Sequence, residues 1–290
     1  MVDKKEIDDV TGVELTGHVW DDDLRELNEP LPKWWLWVLY ASIIWSVGYW
    51  IAYPAWPTAS GYTKGLFGYS QRTTVSEEIA TANQAQAKFR QAIASAELET
   101  VRAEPELLSF SIAGGRASFG DNCAPCHGRG AQGFIGYPNL NDDVWIWGGK
   151  LADIHKTILF GIRSGHPETR DNAMPRYGLE QLLTKEQINE LAETVLAFAN
   201  NATDKAAAER GKAIFAEQCV SCHGDEGKGN QELGAPDLTD AIWLYGGTKV
   251  AIVTSISTGR GGVMPAWNER LDPVTIKQLT VYVHSLGGGQ

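Results

Sequence analysis

The sequence predicts a mainly α-helical protein: one N-terminal transmembrane helix followed by two small helical domains in tandem. Three observations carry that expectation. A stretch of fourteen residues occurs twice, as Gly115-Arg-Ala-Ser-Phe-Gly-Asp-Asn-Cys123-Ala-Pro-Cys126-His127-Gly128 and as Gly211-Lys-Ala-Ile-Phe-Ala-Glu-Gln-Cys219-Val-Ser-Cys222-His223-Gly224. The twenty residues from Trp34 to Tyr53 contain no charge. Apolar residues recur at three- and four-residue spacing near the end of each repeat, as on the buried face of a helix.

Residues 1–33 form an acidic tail with ten acidic and four basic side chains, more than half of the chain's net charge of −11. The remaining charge is spread thinly, and the overall acidity argues against nucleic-acid binding. Residues 34–56 are the expected anchor. Twenty uncharged residues span a bilayer core, and aromatic residues gather at both ends of the run as they do at membrane interfaces. A cleaved signal would start basic and end in small residues, whereas here an acidic tail precedes the run. Residues 57–107 read as a linker. An irregular stretch leads to Thr74-Val-Ser-Glu77, which resembles a capping box, and then to an amphipathic helix over Glu77–Ala103 ended by Pro105.

Residues 108–201 and 204–290 are the two domains. Pro138-Asn-Leu140 answers Pro236-Asp-Leu238, and Trp145-Ile-Trp-Gly-Gly149 answers Trp243-Leu-Tyr-Gly-Gly247, both at an offset of 98. Helices are expected over Thr184–Asn200 and Asp272–Leu286, and Asn200–Asp204 marks the boundary.

Both repeats contain Cys-x-x-Cys-His, the sequence form of c-type haem attachment. Two thiols one helical turn apart add to the two vinyl groups of one haem, and the adjacent His lies on the iron axis. Half a zinc site, a redox pair or a disulfide are the competing readings. Zinc ribbons bring their second Cys pair about 15–20 residues later, whereas 96 positions separate these two. No βαβ context suggests a thioredoxin-like site, and neither competitor explains a His in both copies. Cys123, Cys126, Cys219 and Cys222 account for all four cysteines, so two covalently bound haems c are expected, with His127 and His223 on iron.

Apart from Met1 the only methionines are Met174 and Met264, each downstream of one motif and each followed by Pro. A Met is ordinarily a core gap-filler, but one Met-Pro per haem motif points to the sixth iron ligand. Met174 is expected on the iron of His127, and Met264 on that of His223. Thioether ligation closes the iron to oxygen and peroxide and raises its potential, which implies electron transfer with no catalytic residue.

Helix, haem motif, loop with Met and helix follow in the order of small class I cytochrome c domains, which residues 108–290 resemble. The resemblance implies that the Pro138 and Pro236 carbonyls orient the ligand histidines. It matches Trp145 and Trp243 to a Trp near a haem propionate, with core packing as the alternative. Arg163 and Arg260, ahead of the Met residues, either neutralise a propionate or stay solvated. Further upstream, Thr16-Gly-His-Val-Trp-Asp21, Leu24-x-Glu-Leu-Asn28-x-Pro-Leu-Pro-Lys-Trp-Trp35 and Tyr53-Pro-Ala-Trp-Pro57 resemble the dihaem subunit of cbb3-type cytochrome c oxidases. Asp22 and Glu29 depart from the Gly and Asn common there.

That family implies a bacterial inner-membrane complex with a haem–copper catalytic subunit, a monohaem c-type subunit and a periplasmic cytochrome c donor. Haem attachment outside the cytoplasm would place the tail inside and the repeats in the periplasm. A dihaem peroxidase would need an open iron, and a tethered carrier would have no use for so elaborate a tail. Electrons are expected to enter at the second haem, because residues 225–240 carry a net charge of −4 against −1 for residues 129–144. His166 is expected as a solvated loop residue, His155 and His284 as packed or surface residues, and His18 on the other side of the membrane.

Overall fold

The computed structural model describes residues 6–290, so part of the acidic tail, residues 1–5, lies outside the described residues. The chain divides into two compact units at Ala85/Gln86.

In the first unit, strands β1 (Leu15–Trp20) and β2 (Leu24–Leu27) pair antiparallel. Asp21 and Asp22 make the reversal at φ 51° and 68°, a conformation in which Asp is among the tolerated residues. The Trp20 indole N–H donates to Glu26 at 3.0 Å across the hairpin. No strand was expected in the tail from sequence. The alternation of Leu15, Gly17 and Val19 against Thr16, His18 and Trp20 is too short a signal to stand alone. Helix α1, Lys33–Ala52, follows Pro32 and ends at extended Tyr53. Its 20 residues are long and apolar enough to cross a membrane, and none is buried. At 1.5 Å per residue they extend about 30 Å, the thickness of a hydrocarbon core. A two-residue hairpin, β3 (Pro57–Thr58) and β4 (Gly61–Tyr62), follows.

The linker helix begins earlier than expected. Helix α2 runs Gln71–Ser95, with the Ser70 hydroxyl accepting from Thr73 N–H, so the Thr74–Glu77 box lies inside it. The expected single helix then breaks before α3 (Leu98–Ala103). Lys277 donates to the carbonyls of Ile93, Ala94 and Ala96 at 3.1, 3.1 and 2.6 Å, a cation on the negative end of α2.

The rest is helical: α4 (Pro105–Asn122), α5 (Ala124–His127), α6 (Leu151–Phe160), α7 (Lys185–Phe198), α8 (Lys205–Gln218), α9 (Val220–His223), α10 (Lys249–Thr258) and α11 (Pro273–His284). Pro105 opens α4 instead of merely ending the helix before it. The Thr184 capping box and the Asp272 side chain start α7 and α11 where the sequence places them.

The packing crosses the expected domain boundaries. Residues 108–201 and 204–290 do not each close on themselves. Helix α11 packs on α4, and α7 packs on α8. One core joins Phe119, Ile154 and Ile158 of the first repeat to Ile276, Leu279 and Val283 of the second. The other joins Ile188, Leu191 and Val195 of the first to Phe215, Ile252 and Ile256 of the second. The chain from Met174 through α10 therefore makes one continuous lobe. The other lobe is assembled from the segments on either side of it.

The short connection explains the exchange. Only residues 199–204 separate α7 from α8, and a connection of that length favours an antiparallel helical hairpin. Buried Glu193 locks it by accepting from Thr203 N–H (2.8 Å), Thr203 Oγ1 (2.6 Å), Asp204 N–H (3.0 Å) and Lys249 (2.7 Å). Both helix pairs cross at a glycine. A Cβ on Gly211 would lie 2.3 Å from Thr194 Oγ1, and one on Gly115 would lie 2.4 Å from the Gln278 carbonyl oxygen.

Candidate haem-binding site

Each Cys-x-x-Cys-His forms one turn of helix at the end of a longer helix. Cys123 N–H bonds back to Phe119 and Cys219 N–H to Phe215, both at 2.9 Å. The His N–H then donates to the first Cys carbonyl, again at 2.9 Å in both motifs. Gly128 (φ 81°) and Gly224 (φ 74°) reverse the chain immediately after, a conformation suited to glycine. The loop thereby returns beside the imidazole. His127 Nδ1 donates to the Pro138 carbonyl and His223 Nδ1 to that of Pro236, each at 3.1 Å.

This bond fixes the tautomer and leaves each Nε2 free as a ligand. Burial lowers both histidine pKa values, although the proline carbonyl opposes it, so the ring favours the neutral form that a metal requires. Burial, with the neighbouring Cys as a smaller cause, raises Cys123 and Cys219 to about 11. Reactive redox cysteines have the opposite shift. Among the described residues no three His, Cys, Asp or Glu side chains converge as a metal cluster would. Neither the thiol-redox nor the zinc reading gains support.

The methionines sit on exchanged sides. Ile162 at the end of α6 trades both backbone hydrogen bonds with Met264, at 2.9 Å each. Met264 packs into the core that contains Cys123, Phe119 and Trp145. Met174 packs into the core of Cys219, Phe215 and Trp243. The expected pairs, Met174 with His127 and Met264 with His223, are therefore corrected: each methionine lies in the lobe of the other repeat's motif. Close approach is possible because Gly161 and Gly259 carry no side chain. A Cβ there would stand 2.2 Å from the Met264 carbonyl oxygen and 2.3 Å from that of Met174.

Cys123, Cys126, His127 and Met264, together with Cys219, Cys222, His223 and Met174, line one continuous cavity of about 600 Å³. That volume lies within the ordinary range of cofactor sites. The donor set, the free Nε2 atoms and the mostly apolar walls fit a haem in each lobe.

The remaining predicted residues are placed unevenly. The Trp145 indole donates to the Gly288 carbonyl at 2.5 Å, whereas Trp243 packs in the second lobe's core. Arg163 lines the cavity but spends donors on the carbonyls of Gly262 (2.8 Å) and Asn172 (2.6 Å). Arg260 also lines it, and its guanidinium lies 5.2 Å from the Tyr245 ring centroid. His166 is no solvated loop residue. It stacks on Phe160 at 4.8 Å, accepts Glu168 N–H at 3.0 Å, and its Nε2 lies 3.1 Å from the Asn268 amide. His155 is half-buried, and burial followed by Lys277 lowers its pKa; His284 is buried.

Sequence reasoning missed Tyr177, whose hydroxyl donates to the Gln218 carbonyl at 2.7 Å beside the second motif. It also missed Trp147 and Tyr245, which line the cavity from the two lobes. These two were visible as the third residues of the paired Trp-x-x-Gly-Gly runs.

Two exchanged helical lobes, each ending a helix in Cys-x-x-Cys-His, behind an apolar helix of membrane-spanning length, define a membrane-anchored c-type cytochrome. Residues 12–60 match the N-terminal domain of cytochrome oxidase-cbb3, FixP, and residues 111–193 and 206–283 match cbb3-type cytochrome c oxidase subunit III. The chain belongs to the family of cbb3-type cytochrome c oxidase subunit III. It is 53% identical to the subunit FixP of Azorhizobium caulinodans over 285 residues, which span 98% of this chain and 96% of that protein. It is 50% identical to FixP of Bradyrhizobium sp. over 100% of both chains, and 50% identical to CcoP of Azospirillum brasilense over 99% of both.

Proposed function

We propose that the chain is the dihaem electron-transfer subunit of a cbb3-type terminal oxidase and has no catalytic site of its own. Cys123 and Cys126 would hold one haem c covalently and Cys219 and Cys222 the other. His127 with Met264, and His223 with Met174, would supply the protein ligands to the two irons. When bound, each haem supplies an iron that alternates between ferric and ferrous states.

The protein supplies the rest. The Pro138 and Pro236 carbonyls hold the imidazoles in one tautomer, and the thioethers of Met264 and Met174 would complete the ligand sets. The apolar lobes exclude water, and Arg163 and Arg260 offer positive charge at the cavity wall. The observation that carries this reading is the packing of one methionine beside each motif. Such an arrangement leaves no vacancy for oxygen or peroxide.

The haem–copper subunit and a monohaem c-type subunit are the proposed partners of the assembly, with the anchor in lipid. The tail is cytoplasmic and the lobes are periplasmic. Electrons enter from a basic cytochrome c at the second motif, where Asp225, Glu226 and Glu232 are exposed, and leave through the first. Such an acidic rim speeds encounter at low ionic strength. Lys228 lies 3.8 Å from Asp237 and offsets part of the charge.

Mass spectrometry of the denatured chain should show two haem additions; a single addition would refute the dihaem reading. Neutralising Asp225, Glu226 and Glu232 together should slow donor oxidation at low salt and flatten its salt dependence. An unchanged rate and slope would remove the docking site.

A further inference from the structure

Trp147 and Tyr245, at equivalent positions of the repeats, both line the cavity that the two motifs share. Each reaches across to the other lobe's loop. The Trp147 indole lies against Gly234, where a Cβ would come within 2.1 Å of the ring, and the Tyr245 ring lies 3.3 Å from the Cβ position of Gly136. Gly136 and Gly234 are themselves equivalent, at the same offset of 98. The Gly136 N–H donates to the Leu244 carbonyl at 2.8 Å, next to Tyr245, and the Asn172 side chain donates to the Leu233 carbonyl at 2.6 Å, next to Gly234.

Both rings are pinned from behind. Arg170 lies 5.4 Å from the Trp147 centroid and is itself held by Thr157 (2.9 Å) and Asp153 (3.2 Å) of α6. Arg260 covers Tyr245 and donates to its carbonyl at 3.3 Å. Cation–π contact of this kind stabilises one ring position where the site is partly desolvated.

We propose that Trp147 and Tyr245 are positioning residues for electron transfer between the two haems. They fill space between the two motifs with close-packed atoms, and fix the separation of the lobes by seating each ring on the other lobe's glycine. This rests on the dihaem reading above. In the step, one electron leaves a ferrous centre and reduces a ferric one; no bond breaks and no proton moves. Its rate falls steeply with distance and falls faster through water or a void than through packed protein. An aromatic ring at native packing density is therefore the better medium. The redundancy of Arg170 and Arg260, one behind each ring, matches a requirement for position and not for a reactive phenol or indole.

The test uses the full-length, haem-loaded chain in mild detergent. One electron is injected by a photoexcited ruthenium complex, and haem-to-haem equilibration is followed optically. Dipolar broadening between the two ferric centres, read by EPR, reports their separation. Trp147→Ala should slow equilibration by about tenfold or more, a sensitivity typical of misplaced reacting partners. Haem content, spectra and both midpoint potentials should be retained, and Trp147→Phe should recover most of the rate. A purely structural residue would shift spectra or potentials together with the rate. A rate within about twofold of the parent in Trp147→Ala, with two haems present, overturns the proposal. If that variant fails to accumulate, Tyr245→Ala is read by the same criteria. A parent chain carrying fewer than two haems would instead overturn the reading on which the proposal rests.

Discussion

Removing the Phe119 ring tests the exchanged packing directly. The side chain is 1% exposed and meets Tyr282 of α11 edge-on at 5.5 Å, while Phe215 meets Phe198 of α7 at 5.0 Å. Phe119→Ala should cost about 3–5 kcal/mol. In a folded unit of this size each kcal/mol lowers Tm by about 2–4 °C, which gives a loss of about 6–20 °C. The informative quantity is the coupling. Buried aromatic pairs contribute about 0.5–1.5 kcal/mol beyond area, so a double-mutant cycle of Phe119→Ala with Tyr282→Ala should return a term of that size. The cycle of Phe119→Ala with Phe198→Ala should return nothing measurable. Phe215 should show the reverse preference. The assay is thermal unfolding of the haem-loaded full chain in detergent, followed by far-ultraviolet circular dichroism. Coupling of Phe119 to Phe198 instead of Tyr282 would mean that each repeat closes on itself, and would refute the exchange.

Two further outcomes are expected. With Cys219 and Cys222 replaced by Ala so that one haem remains, Met264→His should lower its potential while Met174→His leaves it unchanged, because imidazole favours ferric iron more than thioether does; redox titration of the pair decides this, and the opposite pattern would restore the unexchanged ligands. Burial alone would raise the Glu193 pKa, but Lys249, Thr203 and Asp204 outweigh it and hold the group at about 2 against an ordinary 4.5. Because the folded value is the lower one, this stability is fully present above the unfolded pKa and is lost as pH falls from 4.5 through about 2. Lys249 is 41% exposed, so the contribution is discounted to the order of 2 kcal/mol. Glu193→Gln should flatten the acid limb of a Tm-versus-pH curve relative to the parent, and parallel curves would show that the carboxylate is not held.

The local chemistry was legible because it is written in short spacings. The two motifs, the caps at Thr184 and Asp272 and the apolar run of α1 each depend on residues close together in the chain, whereas the role of Pro138 and Pro236, 11 and 13 residues from their histidines, came from the resemblance to class I cytochromes c. The methionines were legible as a pair but not in their partnership. Repeat order suggested that Met174 serves the motif before it, and nothing local contradicts that. What decides the matter is which C-terminal helix reaches which N-terminal helix, a competition between similar faces. The clue lies in the short stretch Asn200–Asp204, the expected domain boundary, which joins two helices packed in one core. The break before α3 was hidden for a related reason: Lys277, far away in sequence, stabilises the end of α2.

The nested course of the chain also sets an order of events during biogenesis. The lobe from Met174 to Thr258 is contiguous, and its central hairpin closes over a handful of residues. The other lobe joins α4 to α11 only after the whole intervening stretch has been made, and that larger closure carries the greater entropy loss. The motif that emerges first is thus the last to gain its complete surroundings. Until the final helix arrives, the face of α4 that it covers stands open beside Cys123, while the younger motif already has its own core.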